Sequence, residues 1–232
     1  MRETLDLRKR AVAKVLLTKG APQVRARVVL VMDKTGSMRK QYTTGVVRRV
    51  VERMVPVAVQ LDDDGVLECL LYARGVAVLP DLHVADLAGW CDEHLHLGGV
   101  HSGIDYDAIG HSNDEIPVLT TILDPLVRGA ELPTLVLFFT DGGFSNKAAI
   151  TALVRRAAGL PAFLQFVGVG QANYGLLTRL DELDGREVDN VGFFALDDID
   201  AVSDAELYDR LLGELPDWLR AARAAGVLGG RA

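Results

Sequence analysis

The chain reads as an α/β fold: a doubly wound, mostly parallel six-stranded sheet with one antiparallel edge strand. Three observations point to it. Apolar runs at Val28 to Met32, Pro133 to Thr140 and Pro161 to Gly170 are too short for independent helices and too uniformly apolar for half-exposed strands, so they read as central strands covered on both faces. Between them lie longer segments whose apolar residues recur at helical spacing, the alternation expected of a wound sheet. Val66 to Tyr72 and Gly75 to Leu79, separated only by Ala73-Arg74, suit a hairpin and put one antiparallel strand at an edge.

The elements follow in order. Leu5 to Lys19 sets Leu5, Val12, Val15 and Leu16 on one side and Arg8, Lys9 and Lys14 elsewhere, an amphipathic helix ended by Gly20-Ala21-Pro22. It divides the chain into a leading helix, 1–23, and a single domain, 24–232, that includes the C-terminal helix. Strand one runs from about Arg25 to Met32. Tyr42 to Leu61 is expected as one long helix, with Val46, Val47, Val50, Val51, Met54, Val57 and Ala58 on its apolar face. Arg48, Arg49 and Arg53 read as its solvated face. Asp62-Asp63-Asp64-Gly65 is a turn whose acids lack the alternation of a calcium loop.

After the hairpin, Ala85 to Leu95 forms a short helix and Gly98 to Asn113 a glycine- and histidine-rich loop without periodicity. A helix from Glu115 carries Val118, Leu119, Ile122 and Leu126 on one face, with Ser112 or Asn113 as its cap. Asn146 to Gly159 and Gly175 to Leu183 are helices, Val191 to Ala195 is the last strand, and Asp204 to about Ala225 is a terminal amphipathic helix bent at Pro216.

With 232 residues, 49% of them hydrophobic, the chain can bury a sizeable core. A net charge of -7 lacks the basic footprint of non-specific nucleic-acid binding. Cys69 and Cys91 fall in no recognised metal spacing, which fits a reduced cytoplasmic protein. The apolar stretch near the N-terminus is broken by Lys14 and resembles neither a signal peptide nor a membrane span. Neither nucleic acid nor membrane is expected as a partner, and the oligomeric state stays open.

Chemistry concentrates at Val28 to Ser37, where an apolar strand stops at a carboxylate followed by two hydroxyls. In open α/β sheets ligands sit at the carboxyl ends of strands, so Asp33, Thr35 and Ser37 are placed where a site belongs. Their i, i+2, i+4 spacing around Gly36 lets three hard oxygens converge on a cation such as Mg2+. The strand Pro133 to Thr140 ends the same way, at Asp141 followed by Gly142-Gly143. Two such strands lying side by side where strand order reverses would share one crevice. His94, His96, His101 and His111, with Cys91, Asp105 and Asp107 nearby, suggest a transition-metal cluster, yet no pair has a good zinc-ligand spacing and loops gather polar residues anyway.

Asp33-Lys34-Thr35-Gly36-Ser37-Met38, directly after strand one and before a long helix, resembles the D-x-S-x-S element of von Willebrand factor type A (vWA) domains, which opens their metal-ion-dependent adhesion site. Phe139-Thr140-Asp141-Gly142 resembles the second element, and Gly110-His111-Ser112-Asn113 best matches the threonine-bearing loop between them. The likeness covers about residues 25 to 200 and implies the Rossmann-like vWA fold. It further implies Mg2+ or Mn2+ held by Asp33, Thr35, Ser37, Ser112 and Asp141 with waters, and one position left for a carboxylate from a protein partner. Thr35 stands where the family has serine and Ser112 where it has threonine, and both keep an oxygen donor. Ser102, Thr120 and Thr121 are other hydroxyls of that region. The leading helix, the Asn113-Asp114-Glu115-Ile116-Pro117-Val118-Leu119 run and the bare domain are most similar to the bacterial tellurium-resistance and stress-response vWA group.

Two other readings compete with a metal-dependent binding module that is not an enzyme. Asp33-Lys34-Thr35-Gly36-Ser37 also resembles the phosphorylation motif of P-type ATPases and haloacid dehalogenases, in which Asp33 would be a nucleophile beside Mg2+. Against it, Asn146 stands where that family's final acid belongs, and no membrane helices accompany it. Alternatively the site is degenerate and the domain a scaffold, each Asp serving only as a cap or turn residue.

Overall fold

The computed structural model describes residues 2–62 and 64–230. Among them β1 (Arg27–Asp33), β2 (Glu68–Tyr72), β3 (Val76–Val78), β6 (Thr134–Thr140), β7 (Ala162–Val169) and β8 (Val191–Leu196) form a six-stranded sheet in the order β3-β2-β1-β6-β7-β8. All neighbours pair in parallel except β2 with β3, which run antiparallel at the edge. Every residue of β6 and β7 is buried, as continuous apolar runs require when helices cover both faces. This is the α/β architecture expected of the alternating pattern.

One face packs on α1 (Arg2–Thr18), α3 (Val46–Leu61), α8 (Asp204–Leu212) and α9 (Leu215–Ala224), where Val28, Leu30 and Met32 meet Val12, Leu16, Val51, Met54, Leu211 and Leu219. The other packs on α5 (Ile116–Leu123), α6 (Lys147–Ala157) and α7 (Gly175–Asp181), where Val29, Val31 and Tyr72 meet Val118, Ile122, Ile150 and Leu177. Period-two alternation along β1 thus sends Asp33 to the α5–α6 side.

Several expectations are corrected. The long helix from Tyr42 is two: α2 (Arg39–Thr43) stops, and Gly45, at φ +75°, turns the chain into α3. The terminal helix breaks at Gly213-Glu214, with Pro216 in the first turn of α9, where a missing N–H costs nothing. The loop 98–113 contains a separate hairpin, β4 (Val100–His101) with β5 (Ile104–Asp105); α4 (Leu87–His94) leads into it. Of the turn at 62–65, Asp63 lies outside the described residues, as do Met1, Arg231 and Ala232 at the ends of the two expected units. Cys69 and Cys91 are free and buried.

Of the arginines of α3, Arg48 and Arg49 lie at the surface, each over a third exposed, whereas Arg53 is not on a solvated face. Arg53 is 5% exposed; its guanidinium donates to the Ile199 and Val202 carbonyls and pairs with Asp204. Arg49 pairs with Asp200 and Arg48 with Asp92 and Glu52. The periodicity of α3 alone could not reveal that segments following β8 would cover this side.

The aromatic stack behind the strand ends gives a test of packing. Phe138 is fully buried, with ring centroids 5.0 Å from Tyr72 and 5.1 Å from Phe166. Phe138→Ala is expected to lower unfolding free energy in urea by about 3–5 kcal/mol, as a cavity opens that the stiff sheet cannot close.

Candidate functional site

Register brings the site together. Asp33 pairs with Tyr72 on β2, while Met32 pairs with Phe139 on β6, so Asp33, Tyr72 and Thr140 stand at one level across three strands. The Tyr72 and Thr140 hydroxyls donate to Asp33 Oδ2 at 3.0 and 2.8 Å, and the Thr35 N–H donates to Oδ1 at 2.8 Å. Asp33 has no exposed surface. Burial pushes its carboxyl up to about 6; the hydrogen bonds from Thr35 and Thr140 hold it back, and the charge of Asp141 adds to the rise.

Around it the first and second loops meet. Thr35 Oγ1 and Ser37 Oγ are 3.0 Å apart, and Ser37 Oγ donates to Asp141 Oδ1 at 3.0 Å. Burial also raises the Asp141 carboxyl, against the Ser37 hydrogen bond. Gly142 and Gly143, at φ +93° and +83°, carry the chain away from Asp141. A Cβ on Gly142 would stand 3.3 Å from the Asn173 carbonyl oxygen, and one on Gly143 3.3 Å from Asn113 Oδ1. At both places the backbone conformation strains any residue with a side chain, and a Cβ would be tightly placed.

The third loop is bound to the first from below. Lys34 has no exposed surface, and its ammonium donates to the Tyr106 and Gly110 carbonyls at 2.9 and 2.7 Å. The Gly36 N–H donates to the His111 carbonyl at 2.9 Å. Of the residues anticipated from sequence, Asp33, Thr35, Ser37 and Asp141 form one hydrogen-bonded set. Ser112 is exposed and outside it. Its neighbour Asn113 instead lies against the second loop: Nδ2 donates to the Gly142 carbonyl at 3.1 Å, and the Asn113 carbonyl accepts from Ser145 Oγ at 3.0 Å. Ser102 and Thr121 are engaged elsewhere, with Glu93 and the Pro117 carbonyl.

Sequence reasoning missed four participants: Tyr72, Lys34, Asn113 and Glu115. Glu115 is fully buried, its Oε1 accepts from Asn113 at 3.3 Å, and Oε2 has no hydrogen-bond partner among the described residues. Burial pushes its carboxyl up to about 7. An acid at the threshold of an apolar helix is the available signal in the sequence, where it marks no more than a helix start.

The donor set fits a hard divalent cation. Its side chains offer carboxylate and hydroxyl oxygens alone, and no protein cation pairs with Asp33 or Asp141 among the described residues. The one ammonium adjacent in sequence, Lys34, is committed to loop carbonyls. The histidine loop makes a different arrangement. His96 and His101 stack at 3.6 Å with ring nitrogens toward the Glu93 and Gly98 carbonyls, and His94 is buried against Trp90. Among the described residues no three His, Cys, Asp or Glu side chains are grouped to hold a metal.

Comparison with known proteins places these features. The family model vWA-TerF-like, described as the vWA found in the TerF C terminus, matches residues 25–228. The uncharacterized protein YcbR of Bacillus subtilis (strain 168) is 40% identical over 228 residues, covering 97% of this chain and 90% of YcbR. Among solved structures, an aerotolerance-related membrane protein from Bacteroides fragilis NCTC 9343 superposes with a TM-score of 0.55 at 11% identity, over 83% of this chain and 99% of that one, a likeness of fold. The ArnB paralog VWA2 from Sulfolobus acidocaldarius gives 0.45 at 15% identity over 82% of this chain, which spans 45% of that protein's length.

The buried charge of Asp33 has a measurable consequence. Its folded value of about 6 exceeds the unfolded 3.8, so the native state binds the extra proton and this group adds stability as pH falls through 6. Above pH 6 the ionised carboxylate costs up to roughly 3 kcal/mol. Asp33→Asn in chelator is therefore expected to be about 1–3 kcal/mol more stable than the parent at pH 8 in urea, with the difference shrinking toward pH 5. A variant that is less stable at pH 8 would contradict this account of the site.

Proposed function

Because the chain belongs to the vWA-TerF-like family, the vWA domains found in the TerF C terminus, we propose that it is a divalent-cation-dependent protein-binding module with a metal-ion-dependent adhesion site, and not an enzyme. The TerF name in the family description supports a role in bacterial tellurium resistance, and the free buried Cys69 and Cys91 support a reducing compartment, the cytoplasm. Among the described residues no helix is long and apolar enough to cross a membrane.

The observation that carries this reading is the meeting of two carboxylates from adjacent strand ends, linked through Thr35 and Ser37 and left without a protein cation among the described residues. Asp33, Thr35, Ser37 and Asp141 would hold Mg2+ or Mn2+. Ser112 would complete the set from the third loop, which Asn113 holds against the Asp141 loop through the Gly142 carbonyl. When bound, the ion supplies a positive centre that accepts a carboxylate oxygen from an acidic side chain of the partner. Tyr72 and Thr140 orient Asp33 from behind, and Lys34 keeps the third loop in place. Phosphoryl transfer is disfavoured because Asn146, which stands where the final acid of such a site would belong, is a helix cap that accepts from the Ala149 N–H at 3.3 Å.

Titration calorimetry with Mg2+ is expected to show binding to the parent chain and none to Asp33→Ala; equal heats would overturn the assignment. Protonation of Asp33 below about pH 6 removes a charged ligand, so Mg2+ affinity should fall roughly tenfold per pH unit there, and a flat profile from pH 7.5 to 5 would take Asp33 out of the site. Incubation with acetyl phosphate is expected to leave the intact mass unchanged, whereas a phosphoryl adduct on Asp33 would favour the enzymatic reading.

A further inference from the structure

Beside the Asp141 loop, between α6 and α7, lies a cavity of about 370 Å3 lined by Gly143, Phe144, Lys147, Asn173, Leu176 and Arg179. It begins two residues from Asp141, and the Asn173 backbone abuts Gly142. Its charged lining is two cations and no carboxylate. Lys147 and Arg179 are exposed, and among the described residues neither has an ion-pair partner. In a chain of net charge -7 the two cations thus share one cavity whose lining holds no carboxylate.

We infer that this cavity receives a second acidic side chain of the partner, so that the surface recognises a segment bearing two carboxylates: one for the cation at Asp33 and Asp141, the other for Lys147 and Arg179. The inference rests on the docking function proposed above. An Arg fork matches a carboxylate in two hydrogen bonds and a Lys ammonium adds a point charge. Phe144 and Leu176, each 7% exposed, give the cavity an apolar floor for the methylenes of a Glu side chain. A cleft lined by one sign of charge concentrates the opposite sign. Once the first carboxylate is seated, the second binds intramolecularly, and affinity rises without any change at the metal.

Fluorescence anisotropy with labelled synthetic peptides tests this. A glycine peptide with a single Glu is compared with peptides carrying two Glu separated by one to four glycines, in Mg2+ and in chelator. The best two-Glu peptide is expected to bind the parent chain about tenfold more tightly than the single-Glu peptide in Mg2+. Lys147→Ala/Arg179→Ala, both on exposed positions, is expected to abolish that advantage and leave the single-Glu affinity and the circular dichroism spectrum unchanged. Mg2+-dependent binding of both peptides with no two-Glu advantage, or an advantage that survives the double substitution, would overturn the cavity's role and leave metal docking standing. Two-Glu binding that ignores chelator yet is lost in the double variant would uphold the cavity and overturn metal docking. Displacement of the peptide by inorganic phosphate but not by glutarate would overturn the assignment to a carboxylate.

Discussion

A carboxylate with no exposed surface stands at the middle of the sheet, and among the described residues no cation pairs with it. Taking an ionised group out of water is among the largest unfavourable terms a fold can contain, and the surroundings of Asp33 are arranged to contain it. Two hydroxyls reach it from neighbouring strands and a backbone N–H from its own loop. These donors lessen the rise in its proton affinity without abolishing it. The sheet order matters for the same reason. The chain leaves β1 toward β2 on one side and returns to β6 on the other, so the carboxyl end of β1 is where loops diverge and room for a ligand exists.

The three loops above that point are tied to one another by hydrogen bonds. Lys34 and Gly36 hold the third loop to the first through the Tyr106, Gly110 and His111 carbonyls, and Asn113 holds it to the second through Gly142 and Ser145. A sequence-local view makes Lys34 the natural counter-ion of Asp33. Its ammonium instead satisfies carbonyls of a loop about 75 residues away in the chain, which leaves the site's negative charge available for a ligand.

How much of this was legible before folding depended on periodicity. The central strands, the antiparallel edge and the paired aspartates could be read because buried strands are uniformly apolar and their ends are marked by an abrupt polar residue. The two-part helix at Gly45 and the break before α9 were hidden because apolar spacing continues across both interruptions. Arg53 looked solvated because its partners, Val202 and Asp204, lie some 150 residues on. In the third loop no period exists to say which side chain faces inward, so the bond from Asn113 to the Gly142 carbonyl could not be read from pattern.

The Gly142-Gly143 pair has an implication for recognising such sites in other chains. Each glycine is hemmed in by a different neighbouring loop, Asn173 on one side and Asn113 on the other, and both backbones lie where side chains are strained. The dipeptide is thus a steric record of three loops closing on one point, whereas an aspartate at a strand end records only a place in a sheet. A search weighted on the glycines would pick out crevices already closed in this way, and would pass over strands that merely happen to finish on an acid.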